Sequence, residues 1–308
     1  MAPPLRPSPA TRSPDALREF GVVNLDKPPG PSAHQVAAWV RDLVGVERAA
    51  HAGTLDPKVT GCLPVLLGDA TRLAQVFLEG VKEYVAVLEL HGPVPTDLDS
   101  VVAEFEGPLY QKPPRKSAVT RRLRVREVYA MDVLDTQERQ VLLRIRCESG
   151  TYVRKLCHDL GLALGTGAHM GHLRRTATSP FDDRSLVTMS DLADALAFAD
   201  GLEYDPDEGP LREVVAPAER ALVHLPRVTI APSAAEQVAT GAPVYAPGVI
   251  SVDPATEPVA ENGTGVGVDE GDLLACYTPD GSAICLGRLV GAPDAERGEV
   301  VSLERVLV

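Results

Sequence analysis

Cysteine and lysine are both scarce in this chain of 308 residues, and each shortage limits what the protein is able to be. The five cysteines are an odd number and form no Cys-x-x-Cys pair, which argues against a disulfide framework and against a structural zinc site. We therefore expect them to be reduced and mostly buried. No apolar run approaches the length that a membrane-spanning helix needs, so the sequence predicts a soluble, cytoplasmic protein without a membrane segment.

Recognition motifs for common cofactors are also missing. The chain has no Gly-rich phosphate loop, no dinucleotide fingerprint and no cluster with metal-ligand spacing, so neither a metal nor a cofactor is predicted. The first fifteen residues are rich in proline and contain no apolar stretch, which is typical of a flexible tail and not of a secretory signal. We assign residues 1–20 to such a tail.

Acidic residues outnumber basic ones, with a net charge of -13, but they are unevenly distributed. Residues 1–188 contain 24 basic and 22 acidic residues, whereas the remainder contains 6 and 21. Only six of the 30 basic residues are lysines, and the acidic surplus lies in loops, a pattern that indicates adaptation to high salt. Because the Debye length is about 3 Å in molar salt, short bidentate arginine contacts would carry much of any binding to a polyanion.

One segment departs from the acidic background. Residues 112–126, which we name the basic stripe, carry seven basic side chains and no acidic one. This favours contact with a nucleic-acid backbone, although a solvated charged face is the plainer alternative. The candidate contact residues of the basic stripe are Arg115, Lys116, Arg121, Arg122 and Arg124.

Apolar periodicity predicts a mixture of helices and strands in the first two thirds of the chain. Apolar residues at helical spacing follow Ser32, a good N-cap, and predict a helix over Ala33–Val44. The same patterns predict strands at 84–90, 128–134 and 141–147, and helices at 151–164 and 191–198.

The texture of the sequence changes near Pro226. Beyond it, short strands separated by turns alternate as a small barrel requires, and one helix is predicted over 232–240. An acidic loop at 253–268 interrupts them. We therefore predict an α+β protein with a mixed-sheet domain over residues 21–223 and a small β-rich domain over residues 224–308.

A single carboxylate, Asp56, lies in a segment whose composition predicts a tight turn. Gly53 can adopt backbone angles closed to other residues, Thr54 can bond its own backbone, and Pro57 restricts the chain just after the acid. Such a turn holds the carboxylate in one direction. An isolated Asp-Pro is more often an ordinary surface turn, so the functional interpretation depends on the motifs elsewhere in the chain.

Four segments, in the same order, resemble the signature motifs of the TruB branch of RNA pseudouridine synthases. The Asp56 turn matches the Gly-Thr-Leu-Asp-Pro pattern that holds the catalytic acid of that family. Residues 26–32 match its Lys-Pro-x-Gly element, residues 82–84 its Lys-x-Tyr, and residues 149–154 its Ser-Gly-Thr-Tyr-x-Arg. The stretch 111–124 is similar to the archaeal and eukaryotic dyskerin subgroup.

The resemblance implies both a fold and a reaction. The implied fold is a mixed-sheet pseudouridine synthase catalytic domain followed by a small β-barrel-like PUA domain that anchors RNA. The implied reaction isomerises a uridine of rRNA or tRNA without a cofactor: the glycosidic bond breaks, the uracil turns over, and a carbon–carbon bond rejoins it to the ribose. The dyskerin subgroup further implies a box H/ACA guide RNA that selects the target, three small protein subunits and an archaeal source.

Three residues match the catalytic positions of the family. Asp56 would be the essential carboxylate, either as a nucleophile toward sugar or base or as a base at the ribose. Arg154 would pair with Asp56 and keep it charged when a flipped nucleotide closes the pocket. Tyr84 would stack on the flipped base and offset part of an unstacking cost of a few kcal/mol. A surface arginine and a core tyrosine are the structural alternatives.

Four further residues match substrate-binding positions. Lys27 would buttress the loop beside the site, and Lys82 would add a phosphate contact. His51 would fill the space that the displaced base leaves, although a solvated loop histidine is nearly as good an interpretation. Leu173 would line the uracil pocket, or belong to the core.

Other functions stay open from the sequence alone. One is a stand-alone synthase that modifies the T loop of tRNA, and another is a non-catalytic RNA-binding scaffold in which the cleft is vestigial. An unrelated hydrolase that uses Asp56 would leave the three other motif matches as coincidence.

Overall fold

The computed structural model of the chain describes residues 5–77, 80–113, 120, 122–201, 209–255 and 268–308. Its α-helices are α1 Pro14–Glu19, α2 Ala33–Val44, α3 Leu98–Ala103, α4 Val153–Ala163, α5 Met189–Gly201, α6 Leu211–Val214 and α7 Pro232–Ala239. Its strands are β1 Gly21–Lys27, β2 Ala49–His51, β3 Thr60–Leu67, β4 Lys82–Leu90, β5 Gly107–Gln111, β6 Arg124–Gln137, β7 Gln140–Cys147, β8 Ala168–Thr178, β9 Phe181–Asp182, β10 Ala216–Pro217, β11 Arg227–Ile230, β12 Val244–Tyr245, β13 Val249–Asp253, β14 Leu273–Tyr277, β15 Ala283–Leu289 and β16 Glu299–Val306.

The larger sheet of the described residues is mixed and contains ten strands. Its main path runs β10-β1-β3-β8-β4-β7-β6-β5, while β2 pairs with β3 and β9 pairs with β8. β3 and β8 are parallel, and they pair only where Thr60 and Gly61 lie opposite Arg174 and Arg175. Along β4, buried and half-buried residues alternate, so one face of the sheet contributes most of the core. Residues of α2, α4 and α5 belong to the same apolar cluster as this face.

Helix α2 forms where the sequence predicts it, and its first turn explains why. Ser32 and Gln35 form a reciprocal capping box, with distances of 3.2 Å and 2.9 Å between backbone nitrogen and side-chain oxygen. The helix ends at Gly45, which adopts a left-handed conformation with φ of 78°. An N-cap such as Ser32 stabilises a helix by about 1 kcal/mol.

The smaller sheet of the described residues has six strands in the order β12-β16-β15-β14-β11-β13, and β11 and β14 pair in parallel. Helix α7 packs against β15. A separate apolar cluster fills this part of the protein, with Val228, Ala235 and Ile284 fully buried in it. The predicted α+β class, a mixed sheet followed by a small β-rich unit, is therefore confirmed.

The N-terminal residues contradict one prediction. A flexible tail was expected over residues 1–20, yet the described part of it is packed into the protein. Arg12 is fully buried and forms two hydrogen bonds of 2.6 Å with the carboxylate of Glu219. Phe20 is fully buried as well. The proline-rich composition suggested mobility. The partners that hold this segment, such as Glu219, lie about two hundred positions away in the chain, so local sequence does not reveal them.

The two sheets meet through a shared apolar cluster. Its members come from β1, β3, β14 and β15 and from the C-terminal end, and they include Val22, Leu66, Ala275, Leu286 and Leu307. The chain passes from the larger sheet at β10 to the smaller one at β11. Arg12 lies at this junction too, since its Nη2 is 3.4 Å from the hydroxyl of Ser282.

Three expectations from composition have different outcomes. All five cysteines are free and buried, as predicted. Across the described ranges, no helix is long and apolar enough to cross a membrane. The acidic loop predicted at 253–268 lies almost entirely outside the described residues.

Candidate active site

Asp56 lies in the turn between β2 and β3, and the backbone of this turn is held on both sides of the acid. Gly53 has φ of 91°, a left-handed value that favours glycine. Val59 N donates to Asp56 O at 3.0 Å, and Gly30 N donates to Pro57 O at 2.8 Å. The carboxylate side chain is nevertheless 52% exposed. A fixed backbone thus presents an accessible carboxylate.

Lys27 lies beneath this turn and is fully buried. Its Nζ donates to three carbonyl oxygens, at 2.9 Å from Pro28, 3.0 Å from Pro57 and 2.8 Å from Val59. Burial lowers the pKa of Lys27, and the negative charge of Asp56 opposes this effect. The ammonium joins the loop before α2 to the Asp56 turn.

Arg154 and Asp56 form an ion pair between Nη2 and Oδ2. Arg154 lies in the first turn of α4, as the sequence predicted. The start of this helix is tied to β5, because the backbone nitrogen of Tyr152 donates to Oε1 of the buried Gln111 at 2.9 Å. The Arg154 side chain is 54% exposed, so the pair lies at the surface of the free protein.

Tyr84 belongs to the apolar core and is only 9% exposed. Its register partner on β8 is Arg175. Burial raises the pKa of the Tyr84 phenol, while the charge of Arg175 and a side-chain hydrogen bond from it act in the opposite direction. Leu173, two residues before Arg175, is half-buried opposite Ala86 on the same pair of strands.

His51 ends β2, five residues before the acid, and packs against a second histidine. Its Nε2 is 3.4 Å from Nδ1 of His34, and the two rings meet edge to face with centroids 4.5 Å apart. Burial, then the charges of His34 and Arg175, lower the pKa of His51 to about 4. The ring is therefore neutral at physiological pH.

The structure contradicts the predicted phosphate contact of Lys82, because the side chain points into the protein. The side chain is 3% exposed, and Nζ donates to the carbonyl of Phe77 at 3.0 Å. Burial and the nearby charge of Arg175 lower the pKa of Lys82 to about 7. The alternation of β4 turns this residue inward, to the same side as Tyr84. A phosphate outside the protein has no access to its ammonium in this conformation.

The basic stripe is described only in part. Arg115, Lys116 and Arg121 lie outside the described residues. Arg122 is exposed, and Arg124, half-buried, begins β6 opposite Gln111.

Sequence reasoning missed Arg175 and His34. Arg175 is 1% exposed; its Nε donates to Cys62 O at 2.7 Å, and its Nη2 lies 3.4 Å from Ala52 O and 3.3 Å from Gly53 O. The available signal for Arg175 was a basic residue with no acidic residue near it in sequence, since the nearest are Asp159 and Asp182. For His34 the sequence offered only its position, one residue after the start of α2.

These residues form a site suited to one kind of chemistry. An accessible carboxylate on a rigid turn, paired with a fixed guanidinium, can act as a nucleophile or a base toward a substrate that covers it. Within the described ranges, no group of three or more His, Cys, Asp and Glu side chains is placed to hold a metal ion.

Comparison with known families defines the class of protein. Residues 41–97 match the N-terminal domain of TruB family pseudouridylate synthases, and residues 154–223 match the C-terminal domain of tRNA pseudouridylate synthase B. The protein is an RNA pseudouridine synthase. This chain belongs to the TruB family.

Its relatives include proteins of two halophilic archaea. The chain is 67% identical over 308 residues to the probable tRNA pseudouridine synthase B of Halobacterium salinarum, covering 99% of both chains. It is 64% identical over 304 residues to the protein of the same description from Haloarcula marismortui, covering 99% of this chain and 94% of the relative. These relatives agree with the adaptation to high salt that the charge pattern predicted.

Solved structures with the same fold include a protein complex and a ribonucleoprotein. One is a Cbf5-Nop10-Gar1 complex, matched with a TM-score of 0.88 and 42% identity over 99% of this chain and 90% of that chain. Another is an H/ACA ribonucleoprotein bound to a substrate RNA that contains 2′-deoxyuridine, matched with a TM-score of 0.86 and 40% identity over 100% of this chain and 91% of that chain.

Proposed function

We propose that this enzyme uses Asp56 as its essential carboxylate, and that it isomerises uridines chosen by a box H/ACA guide RNA. The observation that carries the proposal is the ion pair between Asp56 and Arg154, two residues that are 98 positions apart in the chain and come from separate family motifs. A surface turn without function has no need of a guanidinium from the distant helix α4.

The chemistry follows from this pair. The ionised Asp56 attacks the sugar or the base, or acts as a base at the ribose, and the N-glycosidic bond breaks. The uracil turns over, C5 bonds to the ribose carbon, and the C5 proton leaves. Arg154 keeps Asp56 charged when the nucleotide displaces water, because an isolated carboxylate in an apolar pocket favours the protonated form. The reaction requires no change in oxidation state, so the residues of the chain suffice.

The structural relatives support the guide-directed form of this activity. A likeness of 39% to 42% identity extends over essentially the whole chain, and the matched proteins were solved with Nop10, with Nop10 and Gar1, or in an H/ACA particle with substrate RNA. We therefore propose a guide RNA and small protein subunits as partners, with the second sheet as the predicted PUA domain and Arg122 and Arg124 as contacts to the RNA backbone.

A second candidate is modification of tRNA by the chain alone. The descriptions of its relatives favour it, since the proteins from Halobacterium and Haloarcula are both called probable tRNA pseudouridine synthase B. The two candidates share the same chemistry at Asp56 and differ only in how the target uridine is chosen.

One experiment separates them. The purified chain, in high salt, is given RNA labelled with tritium at uridine C5, either as tRNA alone or as a target with its guide RNA and the small proteins. Label is released when C5 bonds to the ribose. We expect rapid release only with the complete particle; efficient release from tRNA alone would make the stand-alone enzyme the better description. Asp56→Asn keeps the shape of the side chain and removes the charge, so activity of this variant in both arms would refute the role of Asp56.

A further inference from the structure

We propose that Arg175 is a positioning residue, which fixes the Asp56 turn and Tyr84 relative to each other from inside the protein. The inference rests on the proposed role of Asp56. None of the four family motifs includes Arg175, and the residue does not contact the carboxylate itself. It acts through the backbone that carries Asp56 and through the strand that carries Tyr84.

The guanidinium joins two segments of the catalytic turn. Nη2 lies within 3.4 Å of the carbonyl oxygens of Ala52 and Gly53, which precede Asp56. Nε donates at 2.7 Å to the carbonyl of Cys62, which follows the turn in β3. Because a guanidinium is planar and carries its donors in a rigid fork, it fixes the two ends of the turn in one geometry, whereas an ammonium cannot.

A β-bulge places Arg175 next to Tyr84. In the pairing of β4 with β8, Glu83 lies opposite Ala177 but Tyr84 lies opposite Arg175, so one residue of β8 is left without a register partner at this point. Bulges of this kind redirect side chains and are common beside active sites. Directly opposed residues share a face of the sheet, and the bulge therefore brings the guanidinium to the side of the Tyr84 phenol.

The charge of Arg175 is buried without compensation by a carboxylate. Within the described ranges its side-chain hydrogen bonds go to carbonyl oxygens, and it forms no ion pair. A buried unpaired charge is expensive, and an apolar side chain would fill the same space at lower cost. The charge also lowers the pKa values of His51 and Lys82. Precise placement of the site is a reason for an arginine at this position.

Two glycines leave the space that Arg175 occupies. A Cβ atom at Gly53 would lie 3.3 Å from Nη1 of Arg175, and one at Gly61 would lie 2.2 Å from its backbone oxygen. Both glycines also have positive φ, 91° and 95°. Both ends of the turn therefore lie close to Arg175: Gly53 lies against its side chain, and Gly61 lies against its backbone.

The test compares Arg175→Gln and Arg175→Lys with Arg12→Gln. Arg12 is an equally buried arginine at the junction of the sheets, so its variant reports the effect of a lost buried arginine on stability alone. We measure single-turnover tritium release at saturating RNA, the Kd for RNA, and the titration of His51 by NMR. Misplacement of a reacting group by about 1 Å costs on the order of 100-fold in rate.

We expect both Arg175 variants to release tritium about 10- to 100-fold more slowly, with Kd changed by less than about threefold. The His51 titration should move to higher pH in Arg175→Gln and stay in place in Arg175→Lys, which keeps the charge. Arg12→Gln should be less stable but should react at the normal rate when folded. Normal rates in the Arg175 variants would overturn the inference. So would an equal slowing in Arg12→Gln, or failure of both Arg175 variants to fold when Arg12→Gln does.

Asp56→Asn in the same assay separates the two proposals. If Asp56→Asn remains active, the proposed function fails whatever Arg175 does. If Asp56→Asn is inactive and the Arg175 variants react normally, only the positioning role fails.

Discussion

Asp56 and Arg154 form an ion pair although both side chains are about half exposed, at 52% and 54%. Exposed pairs contribute only about 0 to 1 kcal/mol to folding, because water screens them. The pair is therefore poorly explained as a device for stability. In the proposed complex with RNA its contribution becomes large, since removal of water strengthens every charge interaction at the covered site.

Arg154→Gln should slow isomerisation strongly and leave the free energy of unfolding within about 1 kcal/mol of the unmodified protein. Arg144→Gln is the matched control, because Arg144 is a similarly exposed arginine paired with Asp132 at 3.0 Å in the same sheet. Denaturant unfolding and single-turnover tritium release are measured for both variants. Equal rates in the two variants would contradict the role of Arg154.

The neutral state of His51 predicts a pH dependence of stability. Its pKa is about 4 in the folded protein and 6.5 when unfolded, so the unfolded chain binds more protons between these values. Stability is therefore unaffected by His51 above about pH 6.5 and falls as the pH decreases toward 4. His51→Asn should flatten this part of the profile in urea unfolding. His172→Asn, at an exposed position, should not, and equal profiles for the two variants would show that His51 is not the group responsible.

Loss of the buried ion pair at the junction of the sheets should be costly. Arg12→Gln leaves Glu219 without its bidentate partner and should lower the free energy of unfolding by roughly 3 to 5 kcal/mol. Arg184→Gln, where the arginine is 88% exposed and paired with Asp182, should cost less than about 1 kcal/mol. Replacement of both Arg12 and Glu219 by apolar residues should recover part of the loss. If Arg12→Gln lowered the free energy of unfolding as little as Arg184→Gln, residues 5–20 would contribute little to stability, as expected of a flexible tail.

The basic stripe predicts how the affinity for RNA depends on salt concentration. Combined substitution of Arg121, Arg122 and Arg124 by alanine should weaken RNA binding and reduce the slope of log K against log salt by roughly 0.7 for each phosphate that is no longer neutralised. The rate at which bound RNA is isomerised should not change. Filter binding between moderate and molar salt gives the slope, and an unchanged affinity would identify the stripe as a solvated surface. Complete loss of binding by the unmodified protein above moderate salt would contradict the adaptation to high salt.

Local signals predicted the elements that have strong periodicity or capping. The N-cap of α2 and the strand-forming runs of β4 and β7 lie where the sequence indicated them. Strands β3 and β8 were not predicted. β3 contains Gly61 and Pro64, and β8 contains glycine, histidine and two arginines in place of apolar alternation. Pairing with neighbouring strands, not local propensity, makes these segments extended.

The motifs in the sequence predicted that Asp56, Arg154 and Tyr84 belong to one site, because a motif can be recognised position by position without knowledge of the fold. The structure pairs Asp56 with Arg154. The tertiary structure decided what surrounds them. It alone showed that Lys82 points inward, that Arg12, Leu17 and Phe20 near the N-terminus are buried, and that Arg175 lies under the Asp56 turn. Burial and charge pairing depend on partners far away in the chain, and only the folded backbone brings those partners together.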